Sequence, residues 1–427
     1  MIVIIEPQCK EITHEKVNSG FIYGLHLAFP NDKILFYAHL SHITAIKYIL
    51  KHDKVLIKNI EYIPINFLDS KSFIGIFKYY LFFKKLFSII QKKNINKIFF
   101  LSFTPPILYL IKNLKQNKKY KDFKFSFVLH GDFENISNEK NEFIPPIVDK
   151  KPLLYRLKKL YSKHFFKKII FILKNVLNKY NFLMRWNHLI ISNLFQTKKI
   201  ILWNNTDDYK YIALSSHIIK NAKNYIDIKS LNINLLTLPI IFVEPLPMPI
   251  NNHVKFATFG YGNSSALKDL LLQLSEKTIT KPYEIRIIGM DDRGIDGFQN
   301  VTCSSPGKRL DRIEMEKQAK DIDVFLILHN KNRYKLSCSN SILESLSYMK
   351  PVLHLNNDCI NNFNKIDLPI GICCESNESL ANTMYDIIEN YSQFRDKAFL
   401  FRKNIFKLRA ELSIENSIDL FEKAFHW

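Results

Sequence analysis

The first half of the chain alternates short apolar runs with longer amphipathic stretches. The apolar runs lie at Ile2–Ile5, Ile34–Tyr37, Val55–Ile57, Lys97–Leu101, Phe125–Leu129, Lys199–Trp203 and Tyr211–Leu214. Runs of this length suit buried strands, and their alternation with helical stretches predicts β-α units around a parallel sheet. We therefore predict a first Rossmann-like domain over residues 1–245.

A second series of strands and helices follows Leu236–Ile250, a proline-punctuated segment that we interpret as an interdomain linker. The predicted strands are Val254–Phe259, Tyr283–Ile288, Asn300–Cys303, Asp323–Leu328, Pro351–Leu355 and Gly371–Cys374. The predicted helices are Ser265–Glu276, Arg309–Lys320, Ser341–Tyr348, Glu378–Asn390 and Gln393–Leu412. This order predicts a second doubly wound α/β domain over residues 251–405 and a C-terminal helix over 406–427.

Between about residues 135 and 190 the alternation gives way to a basic amphipathic insertion in the first domain. In Lys151–Lys168, leucine, tyrosine and phenylalanine are interleaved with lysine and arginine. Such a face suits adsorption to an anionic bilayer surface. A solvated helix packed on the domain explains the same pattern, so both interpretations stay open.

The 427 residues include 61 Lys+Arg against 40 Asp+Glu, which gives a formal charge of +21. This excess favours a polyanionic partner, such as nucleic acid, an anionic membrane or a phosphorylated substrate. The sequence contains no RNP-like motif, recognition helix or zinc module, so we expect no nucleic-acid partner. The six cysteines show no spacing suited to zinc, and we expect no metal site.

The amino terminus has too short an apolar run for a signal peptide and lacks the basic start of one. Lysines interrupt the apolar stretch Ile74–Ile90 well before the ~20 apolar residues that a spanning helix needs. We therefore expect a cytoplasmic protein that is peripheral on the inner face of the cytoplasmic membrane.

Residues 330–353 join a basic loop, a predicted helix start and a buried strand. In open α/β sheets, ligands bind outside the carboxyl ends of the strands, where helix N-termini offer N–H groups to anions. Three serines lie at that place: Ser337, Ser339 and Ser341. The segment therefore predicts an anion-binding helix start.

A purely structural explanation of the same residues exists. Ser341 and Glu344 have the spacing of a capping box, in which each side chain satisfies a backbone amide of the other residue. A cap does not require the basic residues Arg333 and Lys335 that precede it, and these favour the anion site.

The layout of two Rossmann-like domains resembles that of the GT-B glycosyltransferases. The glycine-containing turn Gly260–Ser264 is a further point of resemblance to these enzymes. The motif SNSILESLSYMKPVLHLN resembles the donor-site helix and following strand of the family 4 group. The specific part covers residues 254–356. The resemblance implies two domains that face a cleft, a hexosyltransferase-type activity, a nucleotide diphosphate sugar as donor, and no metal or other cofactor.

The resemblance also implies the donor-binding residues. Glu344 would accept hydrogen bonds from the donor ribose, and the amides around Ser339–Ile342 would hold the diphosphate. The implied donor-binding set is Gly260, Gly262, Asn263, Arg333, Lys335, Ser339, Asn340, Ser341 and Glu344. Further basic candidates for the phosphates are Lys268, Lys308 and Arg309. Leu336 stands where retaining family 4 enzymes carry a second glutamate, so the stereochemical outcome stays open.

In the first domain, His130 and Asp132 follow a predicted strand at its carboxyl end. Either could be the catalytic base that acts on the acceptor hydroxyl of an inverting enzyme, or His130 could contact the transferred sugar. The loop after the first strand supplies candidate acceptor-binding residues, which are His14, Glu15 and Gly20. Helix capping by Thr13 would also explain this polar turn. We expect His217, near the end of the domain, to be structural.

From these features we predict a glycosyltransferase that moves a sugar from a nucleotide diphosphate sugar to a saccharide or lipid-linked saccharide acceptor. Surface polysaccharide or lipopolysaccharide assembly would be its context. Two other classes stay open: a catalytically inactive GT-B scaffold protein and a basic nucleic-acid-binding protein. A GT-B epimerase is a further alternative among enzymes.

Overall fold

A computed structural model of the chain describes residues 1–66, 72–138, 195–259, 264–289, 295, 297–303 and 310–426. The strands of these residues form two sheets, one of seven strands and one of six, and every adjacent pair is parallel. The predicted α/β fold with two Rossmann-like domains is therefore confirmed.

The first domain is built on the seven-stranded sheet. Its strands are β1 (Ile2–Glu6), β2 (Ile34–Ala38), β3 (Ile60–Pro64), β4 (Lys97–Phe100), β5 (Lys124–Leu129), β6 (Tyr209–Ala213) and β7 (Asn232–Leu235). Its helices are α1 (Glu15–Ala28), α2 (Leu40–His52), α3 (Phe73–Lys92), α4 (Pro105–Lys115), α5 (Gly131–Glu134), α6 (Thr197–Leu202) and α7 (Ser216–Ala222). The strand order is β3-β2-β1-β4-β5-β6-β7. All five residues of the central strand β1 are buried, as expected when helices cover both faces of a parallel sheet.

The second domain is built on the six-stranded sheet, in the order β10-β9-β8-β11-β12-β13 once its strands are numbered along the chain. These strands are β8 (Val254–Phe259), β9 (Tyr283–Ile288), β10 (Val301–Cys303), β11 (Val324–Ile327), β12 (Val352–Leu355) and β13 (Gly371–Cys374). The helices that follow are α8 (Ser264–Ser275), α9 (Arg312–Ala319), α10 (Asn340–Ser347), α11 (Asp358–Asn361), α12 (Asn377–Glu389), α13 (Tyr391–Glu411) and α14 (Ile418–Phe425). Each predicted strand of this half is confirmed to within one residue at either end.

Two strand predictions in the first half were wrong. Residues 55–57 follow the end of α2, where Lys54 has a left-handed φ of 57° and the N–H of Val55 donates to the carbonyl of Leu50. The edge strand β3 lies a few residues later. Residues 199–203 belong mostly to helix α6, because a short apolar run does not distinguish a buried helix from a strand. The ammonium of Lys112 accounts for the helix end by donating to three carbonyls of this segment, those of Ile200, Ile201 and Trp203.

The C-terminal segment returns to the first domain. Helix α13 passes through the expected boundary at residue 405 and ends at Glu411, and α14 then packs on α1. A Cβ on Gly24 of α1 would lie 2.1 Å from the ring of Phe421, so a glycine is needed for this close approach. Phe425 of α14 also packs edge-on against Phe99 of β4, at a centroid distance of 4.6 Å. The end of the chain thus stabilises the first domain.

Within the described ranges, no helix is both long enough and apolar enough to cross a bilayer. The basic insertion expected at about 135–190 lies, apart from its first residues, outside the part of the chain that the structure describes. Its membrane contact therefore stays a prediction.

Candidate active site

A cleft with a cavity volume of about 280 Å³ lies between the two domains. The first domain contributes residues 12–16, which lead into α1. The second domain contributes Phe259, Gly289, Leu310, Met315, Tyr334, Ser339, Asn340, Ser341 and Glu344. Several of these residues lie at or just after the carboxyl ends of parallel strands, which is where α/β sheets bind ligands.

The start of α10 forms one wall of the cleft. Ser339 is the N-cap, and its hydroxyl accepts a hydrogen bond from the N–H of Ser341 at 3.3 Å. The hydroxyl of Ser341 donates to the carbonyl of Phe259 at 3.4 Å, which ties the helix start to the end of β8. Because the helix begins before Ser341, the predicted capping box is wrong. Glu344 lies in the second turn and is available for another contact.

That contact is a buried ion pair between Glu344 and Lys16 of α1. Only 5% of Glu344 and 4% of Lys16 are exposed. The Lys16 ammonium also lies 3.8 Å from the sulfur of Met315 on α9. Lys16 was not among the predicted site residues, although a lysine at the start of the helix after the first strand is a signal for a cation at the cleft. No local pattern could have named its partner.

The loop that leads into α1, the helix that carries Lys16, is held in place by a buried carboxylate at the end of β1. Glu6 accepts hydrogen bonds from the backbone N–H groups of Gln8 at 2.8 Å and Cys9 at 3.1 Å, and from the side-chain amide of Asn18 at 3.2 Å. Backbone groups paired in this way fix the path of the loop. The side chains at residues 14–16 are therefore presented to the cleft from a rigid support.

Some buried polar atoms near the cleft have no hydrogen-bond partner among the described residues. They include the carboxamide oxygen of Asn340 and Nδ1 of His329. Asn340 lines the cleft, and its Nδ2 lies 3.5 Å from Glu344. Buried polar groups are nearly always paired, so an unpaired acceptor at a cleft wall is suited to a ligand hydroxyl.

His14 and His130 face each other beside the cleft, with ring centroids 5.1 Å apart. His14, rather than Thr13, is the N-cap of α1. Its backbone φ of 55° lies in the left-handed region, which residues other than glycine rarely adopt. Such strain is concentrated at functional sites. Burial and the neighbouring His14 lower the pKa of His130 to about 3. His130 is therefore a neutral imidazole near pH 7.

Glu15 is a carboxyl group of the cleft wall whose pKa is raised. Burial raises the pKa of Glu15 to about 7, and the adjacent Lys16 opposes that shift. A group that titrates near the working pH can both accept and release a proton, which suits a general base.

The remaining predicted site residues lie elsewhere. His130 is the N-cap of α5 and Asp132 lies on that helix, next to this region, but neither residue lines the cleft. Arg333, Lys335 and Lys268 do not line it either. Gly20 is buried in α1, where a Cβ would lie 2.5 Å from the carbonyl oxygen of Pro239, so it allows close contact with the linker and does not line the cleft. Several predicted residues fall outside the described residues: Gly260, Gly262, Asn263, Lys308 and Arg309.

The loop before α10 is fixed by a first-domain residue that the sequence did not indicate. The carboxylate of Glu134 accepts hydrogen bonds from the N–H of Lys335 at 2.8 Å, the N–H of Leu336 at 2.7 Å and the hydroxyl of Ser337 at 2.9 Å. The side chain of Leu336 is fully buried. An acid from the first domain therefore lies against the backbone of Leu336, the position at which the predicted resemblance would place a glutamate.

Two further contacts hold the domains together at the cleft. Nε2 of His217 lies 2.9 Å from the carbonyl of Tyr334 and 3.0 Å from that of Ser337, so this nitrogen must carry the proton. His217 is structural, as the sequence predicted. Arg312 and Asp53 form a second interdomain ion pair at 3.4 Å, and each side chain is 2% exposed.

Among the residues that the structure describes, no group of three or more histidine, cysteine, aspartate or glutamate side chains is arranged to hold a metal ion. The resemblance implied a metal-independent enzyme, and that stays a prediction.

Solved structures with the same two-domain arrangement are glycosyltransferases. A glycosyltransferase from Rickettsia africae is 12% identical, with 100% of this chain and 98% of that chain covered and a TM-score of 0.54. The apo form of the lipopolysaccharide outer core galactosyltransferase WaaB is 13% identical, with 99% of this chain and 98% of that chain covered and a TM-score of 0.55. Anabaena HepE in complex with UDP and glucose is 10% identical, with 99% of this chain and 98% of that chain covered and a TM-score of 0.53.

The chain therefore has the GT-B fold of these glycosyltransferases, as its sequence predicted. No protein-family profile and no curated protein sequence matches it. Identities of this size define a fold without defining a substrate, so the family 4 group stays a prediction.

Proposed function

We propose that the protein is a glycosyltransferase that moves a sugar from a nucleotide diphosphate sugar to a saccharide or lipid-linked saccharide acceptor. The observation that carries the proposal is the cleft in which Glu344 and the start of α10 face residues 12–16 of the first domain. HepE, which has the same fold, was solved with UDP and glucose and with UDP-glucose, which supports this class of donor. WaaB is a lipopolysaccharide galactosyltransferase, which supports surface polysaccharide or lipopolysaccharide assembly.

On the donor side, the carboxylate of Glu344 accepts hydrogen bonds from the two ribose hydroxyls. The N-terminus of α10 offers N–H groups and the positive end of the helix dipole to the diphosphate. Lys16 lies beside Glu344 and supplies a positive charge that stabilises the departing nucleotide diphosphate. These groups take over the role that a metal ion plays in other transferases.

On the acceptor side, Glu15 is a better base than His130. His130, with a pKa of about 3, accepts a proton poorly at neutral pH. Glu15, with a pKa of about 7, is matched to that pH. His130, as a neutral imidazole, is suited to hydrogen bonding with the transferred sugar. Asp132 lies on α5 and is not among the residues that line the cleft.

The pH dependence of kcat/KM tests the role of Glu15. Because the carboxylate is the active form, kcat/KM should fall tenfold for each pH unit below about 7. Glu15→Gln should abolish this acidic limb and lower kcat by roughly 10²- to 10⁴-fold. Glu11→Gln is the matched control, since Glu11 is an exposed carboxylate in the same loop. An unchanged limb in Glu15→Gln would show that another group is the base.

The nucleotide specificity tests the proposed function itself. The melting temperature is measured with UDP, GDP, CMP and ADP and with their sugars. A ligand at about a hundred times its dissociation constant adds roughly 2.7 kcal/mol of stability. Stabilisation by one nucleotide would identify the base, and no response to any of them would overturn the proposal.

Two other outcomes of these measurements favour other classes of protein. Nucleotide binding without sugar turnover would indicate an inactive GT-B scaffold, an outcome that the buried Leu336 makes worth testing. Affinity for nucleic acid that falls steeply with salt would indicate a nucleic-acid-binding protein.

A further inference from the structure

Helix α3 presents an exposed apolar face on the surface of the first domain. Four large apolar side chains on it are 72%, 45%, 49% and 41% exposed: Ile74, Phe77, Leu81 and Ile89. The opposite side of the helix is packed in the core through Ile76, Tyr79, Phe83, Leu86, Phe87 and Ile90. An isolated exposed apolar residue is ordinary, but a continuous group on one helix marks an interaction surface.

Lysines lie among these apolar side chains. The exposed lysines on this side of the helix are Lys78, Lys84, Lys85 and Lys92, and α3 contains no acidic residue. At 3.6 residues per turn, the exposed apolar and basic residues together occupy roughly 140° of the circumference. We call this set of eight residues the α3 face.

A surface groove of about 430 Å³ on the α3 face is lined by Leu81, Lys84, Lys85, Ser88, Ile89 and Lys92. The ammonium of Lys119 donates to the hydroxyl of Ser88 at 2.8 Å and adds a further positive charge. Lysine ammonium groups around a small polar side chain are suited to a phosphate group, and the apolar neighbours are suited to acyl chains.

The side of α3 opposite the α3 face contacts the loop that follows β1. The hydroxyl of Tyr79 donates to the carbonyl of Pro7 at 2.9 Å, and Pro7 directly follows β1. The N-terminal half of α3 is therefore anchored at the carboxyl edge of the sheet, the edge on which the cleft opens. A bilayer against Ile74 and Phe77, which lie in this half of the helix, would therefore lie at the same edge of the first domain.

We propose that the α3 face docks the protein on an anionic phospholipid bilayer. The charge of the face favours this occupant over a second copy of the chain, because two such faces would repel each other. The proposal deepens the proposed function by assigning a surface for a lipid-linked acceptor. Vesicle binding needs no donor, so the two proposals fail independently in their tests.

Flotation of the full-length protein with vesicles tests the proposal. We expect binding to phosphatidylcholine vesicles that contain about one third phosphatidylglycerol, weaker binding at high salt, and little binding to phosphatidylcholine alone. The double variant Lys84→Gln/Lys85→Gln should bind the anionic vesicles about 30-fold more weakly, since each lysine near such a surface contributes about 1 kcal/mol. Phe77→Ser/Leu81→Ser should also reduce binding. High salt should remove a larger fraction of the remaining binding than it does for the native protein.

Helix α13 supplies matched control variants, because it also has exposed apolar side chains but carries acidic residues. Phe399 and Phe406 on it are 66% and 60% exposed. We expect Phe399→Ser/Phe406→Ser and Lys403→Gln/Lys407→Gln to bind vesicles as the native protein does. Equal losses in the α13 variants, no binding by the native protein, or a change in oligomeric state in the α3 variants would each overturn the proposal.

Discussion

Lys16→Met will lower the free energy of unfolding by about 3–5 kcal/mol, because it leaves the carboxylate of Glu344 as an uncompensated buried charge. Lys16 and Glu344 are 4% and 5% exposed, so water in the cleft replaces the missing partner only in part. Glu344→Gln should also destabilise the protein. The double variant Lys16→Met/Glu344→Gln should recover most of the loss, since it removes both charges. Urea denaturation of the four proteins measures these differences.

The control for this cycle is an exposed ion pair in the same domain as Lys16. Lys33 and Glu61 are 2.7 Å apart, with side chains 53% and 47% exposed. Exposed pairs contribute at most about 1 kcal/mol, so Lys33→Met should have a small effect. If Lys16→Met costs no more than Lys33→Met, the Lys16–Glu344 pair does not hold the two domains together in solution.

Glu344→Gln is expected to weaken nucleotide binding by roughly 10- to 150-fold, the equivalent of about 1.5–3 kcal/mol for hydrogen bonds to a charged group. The reason is that an amide oxygen replaces a carboxylate that accepts from two ribose hydroxyls. The loss should be the same for a nucleoside monophosphate and a nucleoside diphosphate, because both contain the ribose. Calorimetric titration with each nucleotide measures it below the melting temperature of the variant.

Glu378→Gln is the matched control, since Glu378 is an exposed carboxylate at the start of α12 in the same domain. It should bind nucleotides as the native protein does. A loss in Glu344→Gln that appears only with the diphosphate would contradict a ribose contact and assign Glu344 to the phosphates through Lys16. Equal affinity of Glu344→Gln and the native protein would remove Glu344 from the donor site.

Several elements followed directly from the sequence because their signals are local. The strands of the second domain are short apolar runs between polar turns, and the start of α10 carries serines where a cap is needed. A wrong prediction also came from a local signal. The apolar run at 199–203 fits a strand and a helix equally well, and only the packing of α6 and the contact with Lys112 made it a helix.

The candidate site was predicted in part. His14, Glu15, Ser339, Asn340, Ser341 and Glu344 line the cleft, as a site at the carboxyl ends of parallel strands requires. Gly20 does not line the cleft, because a glycine in a helix signals close packing as readily as a ligand, and here its neighbour is the linker. The sequence also gave no indication that burial would separate the pKa of His130 from that of Glu15.

The sequence by itself determined the alternation of strands and helices, and with it the two parallel sheets and the edge at which ligands bind. Only the tertiary structure decided which side chains meet across the cleft. Lys16 and Glu344 are 328 positions apart, and Glu134 is about 200 positions from the loop whose amides it binds. Hydrophobic periodicity repeats within a few residues and therefore encodes elements. The docking of two domains is the sum of many weak contacts, so no local pattern specifies the pairs it creates.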